Sequence, residues 1–286
     1  MKGSFLAGAP REAGKGAQQV HLLRCPRPSS LNVRPKYASL LGMSGALHLG
    51  IFEQSLKGPH HDMKKLIIAH RGVVSPAREN TLEAFQKAID LGADMIEFDV
   101  RRTGDLRYVI HHDPGISGKP FSAMTLREAR DSARSMGFHI PELQEVLELA
   151  SGRIGLDIEL KEEGYECDVV RLAAAALGGE GFIVSSFLPG AIVKAGQCRA
   201  GVRTGFIFNE AGALTTAILQ GDAEWLIPVE TLAAGELLER MKDAGKRVAV
   251  WTVNDTDRMK RLLDDDRIDG IITDRTDAAL AVRAGR

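Results

Sequence analysis

Between Leu66 and Thr273 the chain repeats one kind of unit eight times: an apolar β-type run of four to seven residues, then a helical or mostly helical stretch. The runs are 66–70 (LIIAH), 94–100 (DMIEFDV), 153–159 (RIGLDIE), 182–186 (FIVSS), 202–207 (VRTGFI), 225–229 (WLIPV), 247–252 (RVAVWT) and 270–273 (GIIT). Alternating strand and helix signals imply a parallel sheet with helical crossovers. Eight such units within 63–286 match a (β/α)8 TIM barrel, which typically takes about 250 residues. One further run, 107–112, follows the Gly104-Asp105 turn and predicts a β-hairpin excursion after the second strand. A short insertion, 115–140, then leads into PELQEVL. The clearest helical patterns cover 80–91, 167–177, 231–244 and 255–263, with Thr231 and Asp255 as N-caps and Gly92 and Gly245 as helix-ending glycines. Pro228 weakens the sixth strand, since proline cannot donate to a ladder.

Several of these runs end in groups that are costly to bury: His70 and Arg71, Glu97 and Asp99, Glu159, and His112 with Asp113. A barrel needs such groups at strand C-termini, where its chemistry takes place. Positions i and i+2 of a strand share a face, so Glu97 and Asp99 point one way, as do Asp157, Glu159 and Lys161. If Glu97, Asp99 and Glu159 converge, they repel one another unless positive charge lies between them. An all-oxygen set suits one hard divalent cation, Mg2+ or Ca2+, and not Zn2+. The competing explanation is ordinary barrel charges paired with Lys161, Arg71 or the strand arginines. His70 and His112 can supply the proton acceptor and donor that displacement at phosphorus requires. Arg71 and Lys161 can hold non-bridging phosphate oxygens. A glycosidase instead needs two carboxylates without cations competing for them. The pattern therefore points to phosphate chemistry.

Residues 1–62 carry eight Lys/Arg against three acids, in a chain of net charge -1, and show no sustained period. This segment is expected to be a disordered extension or a mis-assigned start before Met63, with organellar targeting and a functional arm as alternatives. The uncharged run 37–52 is shorter than a transmembrane helix requires. Near-neutral charge gives no sign of a nucleic-acid surface. The three cysteines (Cys25, Cys167, Cys198) lack CxxC spacing, which fits a reducing, cytoplasmic setting and argues against a disulfide framework.

HRG, ENTLEAF, GADMIEFDV, HHDP, IPELQEVL, LDIELK, SSF, WTVND and DGIITD, in this order from Leu66 to Asp274, resemble the glycerophosphodiester phosphodiesterase family. The resemblance implies a TIM barrel that cleaves glycerophosphodiesters to glycerol 3-phosphate and an alcohol. It gives His70 and His112 acid and base roles, Glu97, Asp99 and Glu159 a metal, and Arg71 and Lys161 the phosphate. Trp251 matches an aromatic wall of the pocket, and Phe187 is expected to line it. Glu79 is expected to orient Arg71 or His70, and Asp274 to support Lys161. Attack by the glycerol 2-hydroxyl would leave a cyclic phosphate that water opens. Two departures stand out. The stretch after HDP is shorter than in many relatives, implying a more open pocket. Asp157 stands where relatives commonly have Asn, and is expected to pair with Lys161 or influence the metal. The rival readings are a lyase-type phospholipase D resembling sphingomyelinase D, acting on lysophospholipids, and a catalytically dead barrel that only binds. A homodimer is left open.

Overall fold

A computed structural model describes residues 64–179 and 181–285, so the expectations for 1–62 lie outside the described residues. Eight parallel strands form the predicted barrel: β1 (Leu66–His70), β2 (Met95–Arg102), β6 (Gly155–Leu160), β7 (Phe182–Ser186), β8 (Arg203–Phe208), β9 (Trp225–Pro228), β10 (Arg247–Val250) and β11 (Gly270–Thr273). Each pairs with the next, and β1 pairs with both β11 and β2, closing the ring. Pro228 is accommodated because it is the last residue of β9, opposite Phe208, where little of the ladder remains to be served.

The crossovers are α1 (Leu82–Leu91), α3 (Leu143–Ala150), α4 (Glu166–Leu177), α5 (Pro189–Cys198), α6 (Thr216–Gln220), α7 (Gly235–Asp243), α8 (Thr256–Asp264) and α9 (Thr276–Ala284), and α2 (Leu126–Ser135) lies in the insertion. Gly92 closes α1 in the left-handed conformation, as its position implies. Asp255 caps α8 by accepting from Arg258 N–H at 2.8 Å. Thr231 caps nothing. It lies in a separate 3-10 turn, Glu230–Leu232, and α7 begins only at Gly235, whose φ of 58° no right-handed helix can run through.

The strands alternate between two cores. Ile68, Met95, Ile183, Ile207, Trp225, Ile227, Ala249 and Ile272 fill the barrel interior. Strand residues of the other parity, such as Ile67, Ile96, Ile158 and Val248, pack outward beneath the helices. This parity points Glu97, Asp99, Asp157 and Glu159 inward as well.

β3 (Tyr108–Ile110) returns antiparallel along β2, with Val100 opposite Ile110, as the hairpin reading expects. The insertion after it holds a small hairpin, β4 (Gly115–Ile116) and β5 (Lys119–Pro120), and then α2. Ile116, Phe121, Met124, Ala129 and Ile140 give it an apolar core of its own. That core gives a short insertion a fixed shape beside the barrel mouth.

The cysteine reading needs correction. Cys167, in the first turn of α4, and Cys198, the last residue of α5, form a disulfide with their Cα atoms 5.0 Å apart. Packing of α4 against α5 brings the two together, and a sequence separation of 31 carries no trace of that contact. Among the described residues no helix is long and apolar enough to cross a membrane.

Candidate active site

The HRG stretch makes the first corner of the site. After His70 the chain turns through Arg71 (φ 53°) and Gly72 (φ 85°). A Cβ on Gly72 would stand 2.8 Å from the backbone carbon of Ala84, so glycine is required there both conformationally and sterically. The turn aims the Arg71 backbone N–H at Glu97 Oε2, 3.0 Å away, and lets the guanidinium Nε face Asp99 Oδ2 at 3.3 Å. Glu79 receives the far end of the same guanidinium at 3.1 Å.

In register, Glu97 lies beside Asp157 and Asp99 beside Glu159, so β2 and β6 present a square of four acids to the barrel interior. Each of Glu97, Asp99 and Glu159 offers an oxygen that lies within 4.8 Å of the others. Lys161 Nζ caps this edge, 2.6 Å from Glu159 Oε1 and 3.2 Å from Asp99 Oδ1. Asn80, in the left-handed region at φ 57°, donates from Nδ2 to Asp99 Oδ2 at 2.8 Å. Asp157 does not meet Lys161. Its partner is the hydroxyl of Ser185, which donates to Oδ1 at 2.6 Å across the β6–β7 pair.

Proton affinities follow from this crowding. Burial, then repulsion from Asp99, Glu159 and Asp157, pushes Glu97 well above the usual carboxylate range. Burial and Asp99 lift Glu159 to about 7 against the pull of Lys161. Burial lifts Asp157 to about 7 although the Ser185 hydrogen bond opposes it. Asp99 goes the other way. Burial would raise it, but Lys161, Arg71 and the Asn80 hydrogen bond together hold it below its ordinary value.

These residues fit a divalent cation. Oxygens on opposite sides of an ion at about 2.4 Å would be about 4.8 Å apart, and Mg2+ requires less. Glu97 Oε1 is buried without a hydrogen-bond partner, as a reserved ligand atom would be. Four carboxylates against the two cations Arg71 and Lys161 leave a formal charge of −2, which one such ion would cancel.

The imidazoles flank this cluster. His70 Nδ1 is 2.6 Å from Asp274 Oδ1, and its Nε2 lies 3.9 Å from Glu97 Oε2. Asp274 therefore supports His70, not Lys161 as expected from the sequence, because it follows β11, the neighbour of β1. Asn254 fixes this aspartate by donating to Oδ2 at 2.7 Å and accepting its backbone N–H at 3.0 Å. His112 sits just past β3 with Nδ1 2.9 Å from Asp113 Oδ1. His111 turns away, edge-on to Phe121. Phe187 and Trp251 meet edge to face with ring centres 5.3 Å apart, and Trp251 is anchored by donation from Nε1 to Ile227 O. His70, Arg71, Glu97, His112, Glu159, Lys161, Phe187 and Trp251 all line one cavity of about 110 Å³.

A sequence model described as the glycerophosphoryl diester phosphodiesterase family matches residues 70–278. The chain belongs to that family. Membership makes it an enzyme of the phosphoric diester hydrolase class. It is 32% identical over 232 residues to a glycerophosphodiester phosphodiesterase of Caldanaerobacter subterraneus, covering 74% of this chain and 95% of that one. A Bacillus altitudinis glycerophosphodiester phosphodiesterase is 28% identical, with 76% and 97% covered. Among solved structures, the glycerophosphodiester phosphodiesterase of Thermotoga maritima superposes with a TM-score of 0.63 at 26% identity, covering 78% of this chain and all of that one. An Oleispira antarctica phosphodiesterase, solved with its product sn-glycerol-3-phosphate, gives a TM-score of 0.65 at 24% identity over 76% of this chain and 96% of its own.

Reasoning from sequence missed Asn80, Asn254, Ser185 and Asp113 as supports of the site. Asn80 carried one usable signal: asparagine tolerates the left-handed region better than most residues, and here it ends a turn before a helix. Ser185 and Asn254 are found only through contacts between elements distant in sequence, whereas Asp113 directly follows the His112 it supports.

Proposed function

We propose that this enzyme hydrolyses glycerophosphodiesters to sn-glycerol 3-phosphate and an alcohol, using His70 and His112 as proton acceptor and donor and passing through a cyclic phosphate. The observation that carries this reading is the cluster of Glu97, Asp99 and Glu159 beside two imidazoles and two cations, all of which but Asp99 line one cavity. The glycerol 3-phosphate held by the Oleispira relative is the product expected of it.

Glu97, Asp99 and Glu159 would hold one Mg2+ or Ca2+, which supplies positive charge to a phosphate oxygen and acidifies a nearby hydroxyl. The chain's own residues do the rest. Arg71 and Lys161 bind the remaining phosphate oxygens from two sides, and a fixed cation in a cavity stabilises the added charge at phosphorus better than water does. His70, held by Asp274 through Nδ1, presents Nε2 beside Glu97 and takes the proton of the glycerol 2-hydroxyl. That oxygen attacks phosphorus, the bond to the alcohol oxygen breaks, and protonated His112 supplies the proton the alcohol leaves with. In the second half a water gives its proton to His112 and attacks phosphorus. The bond to the 2-oxygen breaks and His70 returns its proton there. Each imidazole ends as it began. Phe187 and Trp251 wall the apolar side of the bound ester.

The test is turnover of glycerophosphocholine with products separated by chromatography, with and without chelator and with Mg2+ or Ca2+ restored. Release of glycerol 3-phosphate and choline, lost on chelation, is expected. Accumulation of cyclic phosphate would assign the lyase reaction instead, and no turnover with any ion would leave a binding barrel.

A further inference from the structure

Arg101 lies on β2 with the same parity as Glu97 and Asp99, one pleat further along the strand, and does not line the cavity. Yet it is bonded to the loops that carry the chemistry. Its Nε and Nη2 both donate to the backbone carbonyl oxygen of His112, at 3.1 and 2.7 Å. Its Nη1 pairs with Glu162, the residue after Lys161. Glu162 is held in turn. Its Oε2 lies 3.0 Å from the Tyr165 hydroxyl, and that buried hydroxyl is 2.7 Å from Val100 O on β2 itself. The loop carrying the imidazole and the loop carrying the ammonium are thus fastened to one guanidinium. A planar fork with five donors in fixed directions can do this, and a lysine ammonium, with one point charge, cannot span both.

We propose that Arg101 is a positioning residue for the reaction: it sets His112 relative to Lys161 and the phosphate, so that the imidazole meets the leaving oxygen. The proposal rests on the acid role given to His112 above. No other side-chain hydrogen bond described for the 111–113 corner reaches outside it. His112 pairs with its neighbour Asp113, and His111 with the 113 backbone. Without the guanidinium, the carbonyl of His112 loses two donors and the corner loses its tie to the Lys161 loop, keeping on β2 the bond from His111 N–H to Asp99 O.

The experiment compares two leaving groups. Arg101→Gln and Arg101→Lys are assayed with glycerophosphocholine, whose alkoxide must be protonated as it departs, and with a p-nitrophenyl ester of glycerol phosphate, whose anion departs unaided. Loss of positioning predicts a 10- to 100-fold fall in kcat on the choline ester with a fall of a few-fold on the nitrophenyl ester, KM nearly constant, and lysine failing to restore the wild-type ratio. Equal losses on both esters, or none on either, would overturn the proposal and leave Arg101 a structural tie. His112→Ala on the same pair separates this from the wider reading. If it discriminates between the esters and the Arg101 variants do not, only the positioning claim fails. If it does not discriminate, the acid role of His112 fails first.

Discussion

Reducing the Cys167–Cys198 bridge perturbs stability without touching the site, because neither cysteine lines the cavity. The bridge closes a loop with a sequence separation of 31 residues. Constraining a loop of that size in the unfolded chain is worth about 3.7 kcal/mol at 25 °C on the chain-entropy relation. For a domain of this size each kcal/mol moves Tm by about 2–4 °C, so loss of the bridge predicts a fall of about 7–15 °C. The assay is thermal and urea unfolding of a Cys25→Ser background, oxidised and reduced, beside the same background carrying Cys167→Ser and Cys198→Ser. The oxidised protein should show no titratable thiol and the reduced protein two. The double variant should match the reduced protein in midpoint, and kcat at 25 °C should be unchanged in all three. Two free thiols in unreduced protein, or a Tm shift below about 2 °C, would refute the reasoning.

The remaining predictions concern the site. Asp157 has a folded-state pKa of about 7, above its ordinary 3.8, so the folded protein binds the proton more tightly and loses stability as pH rises from about 4 through 7. Asp157→Asn keeps an acceptor for Ser185. In chelated protein it should flatten that decline and add up to about 4 kcal/mol at pH 8, read from urea midpoints across pH, and an unchanged slope would deny the burial cost. Asp274→Asn keeps a partner for His70 but removes its charge, and kcat should fall by about 10²–10³-fold with little change in KM; turnover near wild type would mean His70 needs no carboxylate behind it. His112→Ala should lower turnover of the choline ester by about 10²–10⁴-fold with the circular dichroism spectrum retained, and near-normal activity would remove it from proton transfer. Glu97→Gln should shift half-maximal activity to much higher metal concentration, whereas an unaltered titration would exclude it as a ligand.

The barrel was legible because period-two parity and helical spacing are local properties, and every strand from Leu66 to Thr273 carries its own. The acid cluster was legible because Glu97 and Asp99 share one strand face, and the register of β2 with β6 then makes Glu159 their neighbour. What failed did so for lack of local signal. A helix over 231–244 looked continuous because Thr231 is a good cap by type, but the positive φ at Gly235 divides it. Asp274 was assigned to Lys161, although closure of the barrel sets β11 against β1 and so delivers it to His70, 204 residues away in sequence. The disulfide and the Arg101 tie are likewise products of packing. They join elements whose separation in the chain says nothing of their distance in space.

Because His112 is borne by the returning strand β3 and not by a strand of the ring, the two imidazoles stand on separate mounts. His70 is locked into the closed ladder of the barrel. His112 hangs from a hairpin whose other edge is met by Ile110 N–H bonding to Pro141 O and by the bridge from Val109 to Glu142. Under the proposed mechanism, the end of the reaction that handles the departing alcohol would therefore be modular. Grafting the hairpin and its insertion from another family member should exchange preference for the alcohol while the acid square and the glycerol side stay as they are.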